Sequence, residues 1–392
     1  MGVNQAMEGV TRSMKKSKEK VHSLDSFSTL LLTLIALSGE FPTEQIMRLP
    51  STGAYKEKVI KSLKNDGLIR TYYHDGLRGL RLTAAAKKQL AADWPDRFVP
   101  LFTGDTMTNA PKYTVLHRLR LHRMAETLVS MLNAGISSFP WQKPVVFTPT
   151  PLDQAPYIEG PSYFSSRELK HLGTAATKIR NSRAVGVLLT DDRVFTVYNT
   201  GPALMKWEYQ AEMRLKALLQ IELCQNRLPG QFGGAEQCAI LFGSDMGQFP
   251  VLLDADTRTQ HHFIQDGSYG RFYFLTNDHH GDVLLELLCS PNEKAALDRT
   301  LAQGLDPPWP GWPVANDAMD GDSPVLFGYT CDMPRIKNFD YALHIQHRTG
   351  LLYCFDFQES ALRELCGPNV EIQCIDFEAY ERSVFHQPQE ID

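Results

Sequence analysis

Residues 63–90 read LKNDGLIRTYYHDGLRGLRLTAAAKKQL, and this stretch decides the fold of the N-terminal third of the chain. Asp66-Gly67 ends a helix, and residues 68–73 alternate between apolar and polar side chains as a strand does. Residues 74–79 form a glycine-bearing turn, and residues 80–83 return as a second strand. The stretch therefore predicts a helix, a β-hairpin and then a closing helix over 84–92.

Upstream of this stretch the sequence predicts three helices. Ser23 and Asp25 are suitable N-caps for a first helix that ends near Ser38, and a short second helix follows Pro42-Thr43. The third helix begins at Ser51 or Thr52 and runs to Asn65, and its inward side carries Tyr55, Val59, Ile60 and Leu63. Three helices, a hairpin and a closing helix predict a winged helix-turn-helix over residues 23–93. Residues 1–22 are polar and lysine-bearing, and we interpret them as a flexible basic arm.

Cations recur along the predicted winged helix. Lys58 and Lys61 point away from the apolar side of the third helix, and Lys64 lies at its flank. Such a helix fits the major groove of DNA, and a hairpin can lie along the phosphate backbone. A lysine-rich face can also be simple solvation, and winged helices can bind proteins instead. The candidate DNA-contacting residues are Lys58, Lys61, Lys64, Arg70, Arg78, Arg81, Lys87 and Arg120.

The charge of the chain is unevenly distributed. The net charge is -5, but residues 1–131 contain 20 Lys and Arg against 12 Asp and Glu, and the remainder contains 20 against 33. A basic N-terminal third predicts a polyanionic partner, either a nucleic acid or an anionic membrane surface, and the charge alone does not choose between them. No apolar run approaches the roughly 20 residues needed to cross a bilayer, so we expect no membrane partner. Seven cysteines without a Cys-x-x-Cys pair fit reduced thiols in a cytoplasmic protein.

The rest of the chain predicts an α/β body. A loop and a basic connector helix occupy residues 94–138, with the helix over 112–134, and this helix either extends the DNA-binding face or serves as a strut. Beyond Phe139, apolar strands alternate with helices, which indicates a mixed sheet over residues 139–392. The predicted strands are 184–189, 194–198, 238–242, 271–275, 325–329, 339–345, 351–357 and 370–377. Helices are predicted from Ser165 to about Ile179, where Ser165-x-x-Glu168 spells a capping box, and over 205–223.

No nucleotide-binding or metal-binding signature stands out. The chain lacks G-x-x-x-x-G-K-[ST] and a G-x-G-x-x-G that follows a strand, which argues against an ATPase or a dehydrogenase. His261-His262 and His279-His280 are adjacent pairs, whereas ligands on one helical face need a spacing of three or four. Asn277 or Asp278 instead predicts a helix cap after a strand. We predict no metal site and no cofactor.

A magnesium-dependent nuclease is the alternative with the most specific chemistry. Asp153 and Glu168-x-Lys170 match the bare D…E-x-K spelling, but Glu168 reads as half of the capping box rather than as a strand acid. The other placement, around the hairpin that begins at Gly186, offers only turn acids. The catalytic residues of this alternative are Asp191, Asp192 and Glu208, with Mg²⁺ as the cofactor.

The order of these elements resembles a known family. Residues 183–201, RAVGVLLTDDRVFTVYNTG, with residues 205–219, MKWEYQAEMRLKALL, follow a winged helix and a basic helix. This arrangement resembles the replication-relaxation family of Gram-positive plasmids and conjugative elements, and the resemblance covers residues 25 to 225. It implies a restriction-endonuclease-like second domain. Gly186 and Asn199 stand where the strand acids of that family are expected, so the resemblance supports DNA binding without nuclease activity.

The sequence thus predicts a non-enzymatic DNA-binding protein of a mobile element that serves its maintenance, replication or transfer. Its partners would be duplex DNA and either a second copy or other proteins of the element. The nickase or relaxation nuclease described above is one alternative, and a protein-interaction scaffold is the other.

Overall fold

The structure is a computed structural model that describes residues 27–103, 114–148, 154–170, 182–254, 267–309, 311 and 313–385. The predicted arm over 1–22, the caps Ser23 and Asp25, the histidines 261 and 262 and Asp153 lie outside these ranges. The chain divides into two compact units, Met1–Val129 and Ser130–Asp392. Each contains helices and strands, and the sheets of the second are mixed, so the chain belongs to the α/β class.

The first unit contains helices and one small sheet. Its helices are α1 (Phe27–Ser38), α2 (Gly53–Asn65), α3 (Ala84–Asp93), α4 (Pro95–Phe102) and the start of α5 (Val115–Asn133). The strands are β1 (Phe41–Pro42), β2 (Ile69–His74) and β3 (Leu77–Leu82), in the order β1-β3-β2, and every pairing is antiparallel. The second predicted helix is a 3-10 helix, Thr43–Arg48. Gly39 ends α1 with a φ of 87° and donates to the carbonyl of Ile35 at 2.8 Å.

The hairpin is tighter than the sequence suggested. Only Asp75 and Gly76 form its turn, with φ angles of 50° and 75°. This two-residue turn with positive φ at both positions matches the twist of the flanking strands. Gly79, which we expected in the turn, lies in β3 opposite Tyr72.

The second unit contains a five-stranded and a four-stranded sheet. The first has the order β4-β5-β6-β7-β8, and the second has the order β12-β11-β10-β9. In the first sheet β4, β5 and β6 are antiparallel neighbours, whereas β6, β7 and β8 run parallel. In the second sheet β10, β11 and β12 run parallel, and β9 is antiparallel to β10. The strands of the first are β4 (Ser162–Ser165), β5 (Ala184–Leu189), β6 (Arg193–Gly201), β7 (Glu236–Gly243) and β8 (Phe272–Thr276). Those of the second are β9 (Ala318–Asp320), β10 (Ser323–Phe327), β11 (Gly350–Phe355) and β12 (Val370–Ile375).

Helices connect these strands. They are α6 (Ser166–Leu169), α7 (Tyr209–Leu218), α8 (Pro229–Phe232), α9 (Gln248–Asp254), α10 (His279–Cys289), α11 (Pro291–Leu301), α12 (Met333–Gln346), α13 (Glu359–Leu365) and α14 (Phe377–Phe385). A π-helix, Leu219–Arg227, continues α7. A single core of buried side chains, from Val146 to Ile372, joins both sheets. None of the helices in the described ranges is long and apolar enough to span a membrane.

One predicted strand of this unit was wrong, and two short strands, β4 and β9, were not predicted. Residues 339–345 were predicted as a strand but lie in α12, where Ile336, Phe339 and Leu343 are buried at helical spacing. The strand β4 was missed because its four residues precede the capping box of α6 without a pattern of their own. That capping box, between Ser165 and Glu168, is confirmed. The residues beyond Lys170 that were predicted to extend the helix lie outside the described ranges.

Candidate nucleic-acid interface

Three of the predicted lysines lie on the exposed side of α2. Lys58, Lys61 and Lys64 are all exposed. Val59 and Leu63 on the opposite side are buried in the core of the first unit. The helix is therefore amphipathic in the sense that the sequence indicated, with its cations toward solvent.

Two side chains of α2 differ from the expectation. Tyr55, predicted to point inward, is 41% exposed and contacts the ring of Phe27 edge-on, with ring centroids 6.3 Å apart. Lys56 is buried, and its Nζ donates to the carbonyl of Met47 at 2.9 Å. This lysine binds the end of the preceding 3-10 helix, so it does not contribute to the exposed cationic face.

The β2–β3 hairpin, which follows α2 in the sequence, carries further exposed cations. Arg70 on β2 and Arg78 on β3 are exposed. Tyr73 lies directly opposite Arg78 and is 70% exposed. Opposed residues of an antiparallel pair share one face of the sheet, so Tyr73 and Arg78 project together near the tip of the hairpin. Tyr73 was not among the predicted contacts, although an exposed aromatic beside a turn arginine is a recognisable signal.

Arg81 has to be removed from the predicted contacts. Its side chain is buried, and its Nε and Nη2 donate to Oε2 of Glu40 at 2.9 and 2.6 Å. A guanidinium that is enclosed and bound in this way cannot also reach a phosphate at the surface. Its role is structural, and it fixes the base of β3 to the segment before β1.

Glu40 is the centre of a buried ionic cluster. Besides Arg81, it accepts hydrogen bonds from Arg118 Nη2 at 2.6 Å and pairs with His122 Nε2 at 2.9 Å. Burial by itself would raise the pKa of Glu40, but the hydrogen bonds from His122, Arg118 and Arg81 outweigh it and hold the pKa at about 2. The carboxylate therefore stays ionised at neutral pH.

Arg118 connects α5 to the hairpin. It lies in the helix that the sequence predicts as the basic connector, but its side chain is fully buried. Its Nη1 donates to the carbonyl of His74 at 2.7 Å, and its Nη2 donates to the carbonyl of Leu77 at 3.0 Å. These two carbonyls flank the turn of the hairpin, so Arg118 holds the turn on the side opposite to the core.

The cluster also explains Gly79. A Cβ atom at Gly79 would lie 2.4 Å from Glu40 Oε1, which is far closer than any van der Waals contact. Glycine is required there because Glu40 passes over β3, not because of a turn. Tyr72, opposite Gly79, packs its ring under the guanidinium carbon of Arg81 at 3.9 Å and that of Arg118 at 4.6 Å.

The two remaining cations among the predicted contacts, Lys87 and Arg120, differ in how far they are exposed. Lys87 on α3 is half-buried, and burial followed by the charge of Arg70 lowers its pKa. Its Nζ lies 5.9 Å from the centroid of the Phe102 ring. Arg120 is exposed on α5. The exposed side chains among the predicted contacts are therefore Lys58, Lys61, Lys64, Arg70, Arg78 and Arg120.

The structure separates the acids of the nuclease alternative. Asp191 and Asp192 precede β6 in its hairpin turn, whereas Glu208 follows the end of that strand and precedes α7. The nine residues of β6, a strand about 26 Å long, lie between the two positions in the chain. Glu208 pairs with Lys206 at 3.2 Å, and Asp192 pairs with Arg193 at 3.6 Å. These acids do not converge on a common cation.

The other positions considered for nuclease carboxylates do not form a metal site either. Glu168 caps α6 and pairs with buried Lys143 at 3.0 Å. At Gly186, a Cβ would lie 2.4 Å from the ring of Tyr163, so this strand position has no room for an acid. Within the described residues, no group of three or more His, Cys, Asp and Glu side chains could hold a metal ion.

The second unit buries a polar group that the sequence did not reveal. Glu212 on α7 is enclosed, and it accepts hydrogen bonds from Ser182 Oγ, the backbone of Arg183 and Tyr198 OH at 2.9, 2.7 and 3.0 Å. Burial raises its pKa in spite of these donors. These hydrogen bonds anchor α7 to β6 and to the residues before β5.

The loop after β8 is a helix start, as predicted. Asp278 caps α10 and accepts from Gly281 N at 3.1 Å. His280 stacks on Phe357 with ring centroids 4.2 Å apart, and His279 pairs with Glu381 at 2.6 Å. Both histidines are thus held by neighbouring side chains of the same unit.

Comparison of the chain with protein-family models, curated proteins and solved structures gave no match.

Proposed function

We propose that this chain is a DNA-binding protein whose first unit contacts duplex DNA as a winged helix-turn-helix. The observation that carries the proposal is the shared exposure of Lys58, Lys61 and Lys64 on one side of α2, directly before a hairpin that presents Arg78. A helix face that is merely exposed to solvent would explain the lysines on α2. It would not explain why the hairpin that follows also carries exposed cations.

The roles of the exposed cations follow from their positions. As the recognition helix, α2 would lie in the major groove, where Lys58, Lys61 and Lys64 reach phosphates or base edges. The hairpin would act as the wing, with Arg78 and Tyr73 near its tip against the backbone. Arg118 and Glu40 hold that wing from the other side but do not contact DNA.

We further propose that the second unit is a restriction-endonuclease-like domain without catalysis. The antiparallel hairpin β5–β6, followed by α7 and the parallel strand β7, supports this fold assignment. The separation of Asp191 and Asp192 from Glu208 supports the lack of nuclease activity. On the resemblance to the replication-relaxation family, the process would be maintenance, replication or transfer of a mobile element in the cytoplasm.

The proposal is tested by a salt titration of DNA binding by the full chain. Fluorescence anisotropy with a labelled duplex of mixed sequence would compare the wild type with Lys58→Ala/Lys61→Ala. Loss of two phosphate contacts should weaken binding to every duplex and reduce the slope of log K against log salt by about 2. Arg214→Ala/Arg299→Ala removes two exposed cations from the second unit and is the matched control.

The control variant should bind DNA as the wild type does. A wild-type chain without salt-sensitive affinity for DNA would overturn the proposal in favour of a protein-interaction scaffold. Equal loss in both variants would show that DNA binding reflects overall charge rather than α2.

A further inference from the structure

The outer strands of the two sheets in the second unit differ in how their free edges are covered. At the edge of β4, Ser137 N donates to the carbonyl of Pro161, and Ser137 O accepts from Tyr163 N at 2.9 Å. At β8, Phe274 N donates to the carbonyl of Cys331 at 3.0 Å. At β9, Met319 and Asp306 exchange two backbone hydrogen bonds of 2.8 Å.

The fourth outer strand, β12, has no such cover among the described residues. It pairs with β11 on one side, and no isolated bridge of the described chain reaches its other side. Glu371, Gln373 and Cys374 are exposed, whereas all five residues of β8 are buried. A six-residue edge with unpaired backbone donors and acceptors is a template for another strand.

We propose that β12 pairs antiparallel with β12 of a second copy of this chain, so that two four-stranded sheets join into one. The strand reads VEIQCI, with apolar and polar side chains in alternation. A two-fold axis through Ile372 sets Val370 opposite Cys374 of the second copy and Glu371 opposite its Gln373. Val370, Ile372 and Cys374 share one face, on which Val370 then opposes Cys374 and Ile372 opposes its own copy, and no like charges oppose each other.

The register is selected by charge. A two-fold axis at Glu371 would oppose two carboxylates, and an axis at Gln373 would set Glu371 beside Ile375 of the second copy. Of the registers centred on residues 371, 372 and 373, the one centred on Ile372 pairs the carboxylate with an amide that can donate to it. The one charged side chain of the strand therefore favours this alignment of the two copies.

The test is the mass of the full chain in solution as a function of concentration. Sedimentation velocity should show the 44.2 kDa monomer at low concentration and twice that mass at high concentration. The variant Glu371→Lys/Gln373→Lys opposes lysines across the proposed axis and should stay monomeric. Both positions are exposed, so the monomer should fold normally, which far-UV circular dichroism checks.

The matched control is Glu364→Lys/Asn338→Lys, which makes the same charge change at exposed positions outside β12 and should still dimerise. Hydrogen exchange of the amides of residues 371–375 should slow as the wild type dimerises. A dimer that survives Glu371→Lys/Gln373→Lys would overturn the proposal, because it would use another surface. A wild type that stays monomeric would also overturn it, and slow exchange in that monomer would identify a cover from the same chain.

Discussion

Arg118 Nη2 lies 2.6 Å from Glu40 Oε1, and both side chains are fully buried. The pair joins α5 to the segment before β1, and through the carbonyls of His74 and Leu77 it also fixes the hairpin turn. The geometry of the proposed wing thus depends on residues that would never contact DNA. The contribution of the Glu40–Arg118 pair to the free energy of unfolding can be measured.

Replacement of Glu40 by glutamine should strongly destabilise the first unit. Arg81 and Arg118 would lose their carboxylate while remaining buried, and such an uncompensated charge costs about 3 to 5 kcal/mol. The free energy of unfolding, measured by urea denaturation of the full chain, should fall by that amount. Glu57→Gln, at an exposed position of α2, should change it by less than about 0.5 kcal/mol.

The contribution of Glu40 should depend on pH in a defined window. Its pKa is about 2 in the folded chain and has an ordinary value of 4.5, so its stabilisation is complete above pH 4.5 and is lost as pH falls to 2. The stability difference between the wild type and Glu40→Gln should shrink by about 1.4 kcal/mol for each pH unit in that interval. A difference that stays constant down to pH 2 would contradict the assigned pKa.

The sequence revealed the local elements of the first unit but not the Glu40 cluster. The helix α2, the hairpin and the helix α3 are set by neighbours a few residues apart, and their patterns can be read directly. Arg81 and Glu40 are 41 residues apart, and Arg118 and Glu40 are 78 apart. An arginine that will be buried by such distant partners looks the same in sequence as one that will face DNA.

The errors in the second unit have a related cause. The residues 339–345 are apolar enough for a buried strand, and only their contacts with the core show that every third or fourth one is buried. Glu212 is visible in the sequence as the one acid of α7, but its enclosure depends on Ser182 and Tyr198. Asp191 and Asp192 are close to Glu208 in sequence, so the three acids could be considered together. In the structure, β6 lies between them.

Gly79→Ala should destabilise the first unit although Gly79 lies in a strand. The added methyl group would overlap Glu40 Oε1, and overpacking of this kind costs about 1 to 3 kcal/mol. Thermal unfolding of the full chain would measure the loss. Gly234→Ala is the control, because a Cβ there meets no atom within 4 Å and should leave the melting temperature nearly unchanged.

The full chain should leave supercoiled plasmid DNA intact in the presence of Mg²⁺ or Mn²⁺. The acids of the nuclease alternative lie at opposite ends of β6, and two-metal or one-metal cleavage needs carboxylates that share an ion. An agarose-gel nicking assay with an EDTA control measures this. Nicking that EDTA and Glu208→Gln both abolish would show that Glu208 acts with acids that the sequence and the structure did not indicate.

Arg78 and Arg81 lie three residues apart on β3 and should respond oppositely to alanine substitution. Arg78 is exposed at the tip of the proposed wing, so Arg78→Ala should weaken DNA binding and reduce its salt slope by about 1, with a stability change below about 0.5 kcal/mol. Arg81 is buried against Glu40, so Arg81→Ala should lower the free energy of unfolding by about 2 kcal/mol or more. Each variant is examined by denaturation and by anisotropy under folded conditions. If Arg81→Ala lost DNA affinity without losing stability, Arg81 would be a contact after all, and the Glu40 cluster would have to open when DNA binds.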